Sequence, residues 1–206
     1  MTTKNSNQFS KPFAEIIESS LDSSLAQSWE WDTFPIFGSL VQATSNSITI
    51  LGVVTEIKTG SMDPMRYPFP YKKTEEELRS EQPQIFEFLK TTFQIKVLGF
   101  MDETKKNQYR LPPHPCKIHS FVTKTPSQFS GEFFSKPDFL YLLYSQNTQI
   151  LHLDDLLLAI FKQLSQNDRL TSSVLDTFSQ TMSLLTGNDY RKIKLLLKRT
   201  ENVLCQ

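Results

Sequence analysis

The chain reads as an α+β protein: a small antiparallel β-barrel with a helical insertion, followed by a C-terminal helical region. Three stretches predict this. PIFGSLVQAT and SITILGVVTEIKT, between Pro35 and Thr59, are rich in Val, Ile and Thr and meet at the polar turn Thr44-Ser45-Asn46-Ser47, the pattern of a β-hairpin. FQIKVLGF, Phe93 to Phe100, resumes strand after a long proline- and aromatic-rich excursion that starts at Ser61. From Phe139 onward, apolar residues recur three and four positions apart, the period of amphipathic helices.

Composition narrows the class before any motif is read. Hydrophobic residues make up 38% and charged residues 21%, which separates the chain from disordered sequences. Lys+Arg and Asp+Glu balance at 22 each, so no overall field draws the protein to nucleic acid or a membrane, and only a local patch could do so. The longest apolar runs, Phe139–Tyr144 and Leu156–Phe161, are far too short to span a bilayer. MTTKNSNQFSKP lacks the apolar segment of a secretory signal, and Cys116 and Cys205 make no disulfide framework. The expected location is the cytoplasm. Sixteen Phe residues point to a well-filled core.

Three regions are expected in chain order. Residues 1–28 form an N-terminal amphipathic helix, with Ser10 as N-cap, Pro12 in the first turn, and Phe13, Ile16, Ile17, Leu21 and Leu25 along one stripe. Residues 29–122 form the barrel, with a loop-helix insertion at 61–92. Gly38 and Gly52 interrupt its strands and suggest bulges or tight bends, by which small barrels turn corners. In the insertion, Asp63-Pro64, Pro68 and Pro70 dictate an extended, turning path that displays Met65, Tyr67, Phe69 and Tyr71. Thr74-Glu75-Glu76-Glu77 has the form of a capping box, so a short acidic helix follows. Pro83 starts a second helical turn, in which Ile85, Phe86, Phe88 and Leu89 are expected to face a core. YRLPPHPCKIHSFV, Tyr109 to Val122, returns to extended chain that its prolines confine to an edge.

FGSLVQAT, ITILGVVTEI, MDPMRYPFPYKKTEEELRSEQPQIFEFLKTTF, and YRLPPHP with KIHSFV together resemble the HAS-barrel family. That is the small β-barrel shared by the N-terminal regions of HerA-type DNA-translocating ATPases and of ATP-synthase subunits. The resemblance runs from Phe34 to Val122. It implies the barrel and an assembly or docking role. It does not imply ATP hydrolysis, because the phosphate-cradling pattern G-x-x-x-x-G-K-[ST] occurs nowhere in the chain.

Residues 123–206 are expected to be a linker followed by helices. Thr123–Gly131 is rich in Ser, Thr, Pro and Gly. Ser135-Lys136-Pro137-Asp138 offers a helix start, Asp154 opens DDLLLAIFKQLSQN, and a helix near Thr171–Leu185 ends at Gly187. Asn188 is the expected cap of a last helix with Ile193, Leu196 and Leu197 inward.

No catalytic pattern emerges. There is no G-x-S-x-G elbow, Cys116 and His119 have no identifiable orienting partner, and the carboxylates of Asp154-Asp155 and Glu75-Glu76-Glu77 are explained by helix dipoles. His114, Cys116 and His119 are zinc-type ligands, yet on extended chain His119 points away from the other two, so neither a metal nor a cofactor is expected. The expected function is that of a non-enzymatic adaptor or assembly module. Its partner-binding residues are Asp63, Met65, Arg66, Tyr67, Phe69 and Tyr71, with Glu76, Glu77 and Arg79 of the acidic helix. By the resemblance, the protein partner would be a HerA-type or other ring ATPase, or a nucleic-acid-processing complex. The alternative is a nucleic-acid-binding accessory protein that uses Lys72 and Lys73 with Arg191, Lys192, Lys194, Lys198 and Arg199 of the last helix.

Overall fold

A computed structural model describes residues 11–63, 65, 68–104, 106–144 and 152–204. Its strands are β1 (Ala14–Ser19), β2 (Ser23–Ser28), β3 (Leu40–Ser45), β4 (Ile48–Ser61), β5 (Leu89–Met101), β6 (Asn107–Gln108) and β7 (Phe121–Lys124). All pairings are antiparallel, in the order β2-β1-β7-β3-β4-β5, and β2 pairs with β5 to close a barrel of six strands; β6 adds to the far end of β5. The expected hairpin is β3–β4, turned through Asn46-Ser47, with Asn46 in the left-handed region at φ 56°.

The expectations for residues 11–28 and 121–124 are corrected here. Residues 11–28 form the β1–β2 hairpin and no helix. Phe13, Ile16 and Ile17 fit a helical stripe, but the inward positions of β2 are Ser24, Ala26 and Ser28, small residues that a search for large apolar side chains passes over. A serine-rich turn reverses the chain, with the Ser20 hydroxyl bonding the Asp22 carboxylate at 2.7 Å and accepting from the Ser23 amide at 3.1 Å. The barrel strands therefore begin at Ala14, upstream of Trp29. Phe121 and Val122, expected at an edge, and Thr123 and Lys124, expected in a linker, together form β7, which lies between β1 and β3. A strand of four residues carries too little periodicity to be read, and its place comes from its neighbours.

Inside the barrel, Ile16, Val41, Ile50, Val54, Phe93, Val97 and Val122 pack with Phe13, Phe100 and Cys116. Gly52 lies tight against β5: a Cβ there would lie 2.4 Å from Ile95 Cγ2 and 2.8 Å from the Lys96 carbonyl oxygen. The ladder shifts register at this point, so that Leu51 faces Gly99 and Gly52 faces Val97.

The outer face formed by Leu40, Leu51, Val53 and Leu98 is also apolar, and the helices cover it. These are α2 (Ser127–Phe134), α3 (Phe139–Tyr144), α4 (Leu153–Gln166), α5 (Ser172–Leu185) and α6 (Tyr190–Leu204), whereas α1 (Glu75–Glu81) belongs to the insertion and takes no part in this core. Phe133, Phe134, Phe139, Phe161 and Phe178 join through successive ring contacts, and Tyr109 bonds the Phe133 carbonyl at 2.9 Å. Gly187 ends α5 at φ 65°, its amide and that of Asn188 returning to the Leu184 and Ser183 carbonyls. The cap of α6 is Asp189 rather than Asn188, its carboxylate accepting from the Lys192 amide at 3.2 Å.

Gly38 joins barrel to helices. Its φ is 79°, a Cβ would meet the Ala159 Cβ at 2.6 Å, and its carbonyl accepts from Gln163 Nε2 at 2.8 Å. A Gly38→Ala change adds a left-handed strain to an overpacked contact, and should lower stability by about 3 kcal/mol in urea denaturation. A second test concerns the buried Lys96, whose Nζ lies 2.9 Å from Asp22 Oδ2. The Ser20 hydroxyl and then Lys96 hold the Asp22 carboxyl below its usual value. Because the folded value is depressed, the stabilisation is complete above the unfolded value of about 4 and is lost as pH falls through the folded one. Asp22→Asn should cost about 2 kcal/mol at neutral pH, and the gap to wild type should close in acid.

Candidate partner-binding site

β4 and β5 outrun the rest of the barrel and continue as a two-stranded ribbon to Ser61 and Leu89. The insertion springs from the tip of this ribbon. Asp63 turns the chain, its carboxylate accepting from the Met65 amide at 2.9 Å and its own amide donating to Ser61 Oγ at 3.2 Å. The capping box then forms as the sequence predicts: Thr74 Oγ1 accepts from the Glu77 amide at 3.3 Å, and the Glu77 carboxylate accepts from the Thr74 amide at 2.7 Å.

No residue of α1 is buried, so its place is held from outside. Arg79 bonds Glu75 at 2.8 Å and Asp32 at 3.4 Å, and lies 4.7 Å over the Phe86 ring. Phe86 stacks on Trp31, and Lys73 pairs with Glu81. The turn Pro83–Phe88 is a 3-10 helix, and its apolar residues do not enter the core as expected. They line a cleft of ≈ 400 Å³ between the loop and α1, whose walls include Phe69, Tyr71, Leu78, Ile85, Phe86 and Phe88.

The structure thus distributes the predicted residues among different tasks. Met65 and Phe69 stand 89% and 70% exposed, and Tyr71 meets the Phe69 ring edge-on at 5.9 Å. Asp63, Glu77 and Arg79 fix the local architecture, whereas Glu76 faces solvent. Arg66 and Tyr67 lie outside the described residues. Ile85, Phe86 and Phe88, expected in a core, line the cleft instead, because an apolar triplet after a proline looks alike in either setting.

The basic set falls on separate parts of the fold. Lys72 and Lys73 precede α1, whereas α6 packs on α4 and α5. Arg191, Lys192, Lys194 and Lys198 are exposed, and Arg199 is paired with Asp155. The zinc-type residues go separate ways. His119 Nδ1 lies 3.1 Å from Glu15 and His114 contacts Asn46, while burial pushes the Cys116 thiol up. Among the described residues no three His, Cys, Asp or Glu side chains gather to hold a metal ion.

The chain matches no family model and no curated protein. Thr74→Ala removes the cap of a helix that buries nothing, so it should cost α1 about 1 kcal/mol. Amide exchange should quicken within Glu75–Glu81 while the global melting temperature stays put.

Proposed function

We propose that this protein is a non-enzymatic adaptor or assembly module that binds a protein partner at the ribbon tip. The observation that carries the reading is the apolar cleft beside exposed Met65 and Phe69. Aromatic and methionine side chains left in solvent around a concave apolar wall are the composition of an interface centre, and the carboxylates of α1 supply a polar rim. The resemblance to HAS-barrels supports the same role, and a closed barrel with a helical excursion agrees with it. On that resemblance the partner is a HerA-type or other ring ATPase, or a nucleic-acid-processing complex, and the two cysteines, with no disulfide framework, suit the cytoplasm. Among the described residues no helix is long and apolar enough to cross a membrane.

One observation favours the second reading, that of a nucleic-acid-binding accessory protein. Arg191, Lys192, Lys194 and Lys198 point to solvent from α6 and make no ion pair among the described residues. The aromatic cleft stands ahead of it because an exposed basic helix face is an ordinary solvated surface.

Met65→Ala with Phe69→Ala should abolish capture of the protein partner from nuclease-treated native lysate, with the melting temperature unchanged because both side chains are exposed. A collapsed melt would show that the loop belongs to the core. Salt-sensitive retention on heparin, lost when Arg191, Lys194 and Lys198 become Ala, would favour the second reading instead.

A further inference from the structure

A second cleft, of ≈ 590 Å³, lies at the other end of β4 from the ribbon tip, where the β3–β4 turn, the end of β5 and the start of α2 meet. Its floor is strand. Along β3, Val41 and Ala43 enter the barrel core, so Gln42 between them points outward, on the face of its ladder partner Leu51. Thr49 stands two residues before Leu51 on that face, with Met101 opposite it on β5. Pro126 and Phe129, from the start of α2, form the facing wall.

Gln42 is the polar group at the bottom of the cleft. It is only 6% exposed, and its side-chain amide has no hydrogen-bond partner among the described residues. A buried amide without a partner costs free energy unless something that enters the cleft bonds to it.

The rim is acidic. Asp102, Glu103 and Glu132 line it, and no Lys or Arg does. The hydroxyl and amide of Thr104 bond Asp102 Oδ1, and the hydroxyl above all holds this carboxyl below its usual value, so it is ionised at neutral pH. Arg110, whose charge also acts on Asp102, lies over the Phe100 ring and outside the cleft. Glu103 and Glu132 are exposed and make no ion pair among the described residues. The uncapped start of α2 carries a partial charge of roughly +0.5, which three full carboxylates outweigh.

A cation therefore complements the rim, and its kind can be narrowed. Among the described residues no three His, Cys, Asp or Glu side chains gather to hold a metal ion, so the three carboxylates suit an extended organic cation better than a point charge. The walls, Met101, Pro126 and Phe129, are apolar. We infer that this cleft binds an alkylguanidinium group, with its stem along Met101 and Phe129 and its planar head bonded to the Gln42 side-chain carbonyl and the carboxylates. A guanidinium is weakly hydrated, stacks on aromatic rings and offers five donors in one plane, whereas an ammonium is strongly hydrated and offers three. The volume is that of a small-ligand site. A free guanidino compound and an arginine side chain present the same chemistry. This site stands at the opposite end of β4 from the aromatic cleft, and its assignment does not rest on that one.

The test is isothermal titration calorimetry of the full chain at low salt with butylguanidinium, butylammonium and a capped Gly-Arg-Gly tripeptide. One equivalent of a guanidinium probe is expected to bind with a Kd of about 1 mM or tighter. Tighter binding of butylguanidinium points to a free compound, and tighter binding of the tripeptide to an arginine on a partner chain. Gln42→Leu keeps the volume and suits the neighbouring Leu40 and Leu51, so the melting temperature should hold while affinity falls by about tenfold or more. Glu103→Gln with Glu132→Gln changes exposed side chains only, and should weaken binding by a similar factor and remove most of its salt dependence. Absence of saturable binding by both guanidinium probes overturns the inference. Butylammonium binding as tightly as butylguanidinium, or either variant binding like the wild type, overturns it equally.

Discussion

Barrel closure through the β2–β5 ladder is the constraint on which the rest of the molecule depends. Gln27 to Ser23 run beside Thr92 to Lys96, and this brings the first strands of the chain against its longest ones. Closure gives the inward side chains a common core and removes the edges that an open sheet would expose. It also explains why β2 points Ser24, Ala26 and Ser28 inward. Ser24 and Ala26 lie opposite Ile95 and Phe93 of β5, and the Ser24 hydroxyl bonds that of Ser19 at 3.1 Å, whereas the buried Ser28 hydroxyl has no partner among the described residues.

A second core grows on the outside of the first. β3, β4 and β5 carry apolar residues on both faces, so a solvated outer wall would leave Leu40, Leu51, Val53 and Leu98 in water. The linked phenylalanines of α2, α3, α4 and α5 cover them, and Gly38 permits α4 to come close enough to touch the barrel loop. Barrel and helices are therefore coupled through shared buried surface, and the helices are more than an appendage.

The insertion obeys different physics. It has no buried residue in α1 and rests on a cap, surface ion pairs and the stacking of Arg79, Phe86 and Trp31. Surface ion pairs contribute little each, so this element is only weakly stabilised.

Local chemistry alone determined a good deal of this protein. The β3–β4 hairpin, the capping box at Thr74, the stop at Gly187 and the inward face of α6 were legible because each depends on residues a few positions apart. The path of the aromatic loop was legible from its prolines, but the exposure of Met65 and Phe69 was not, because that depends on what lies opposite them. Tertiary structure decided the rest. Residues 11–28 satisfy a helical stripe locally and become strands because β7 and β5 supply ladder partners on either side. β7 is too short to announce itself, and Ile85, Phe86 and Phe88 line a cleft rather than a core because that depends on what lies opposite them. The surroundings of Gln42 are of this second kind. A glutamine's chemistry states that it can donate and accept, and only the packing of α2 over the outer face of β3 states that it is buried there without a partner.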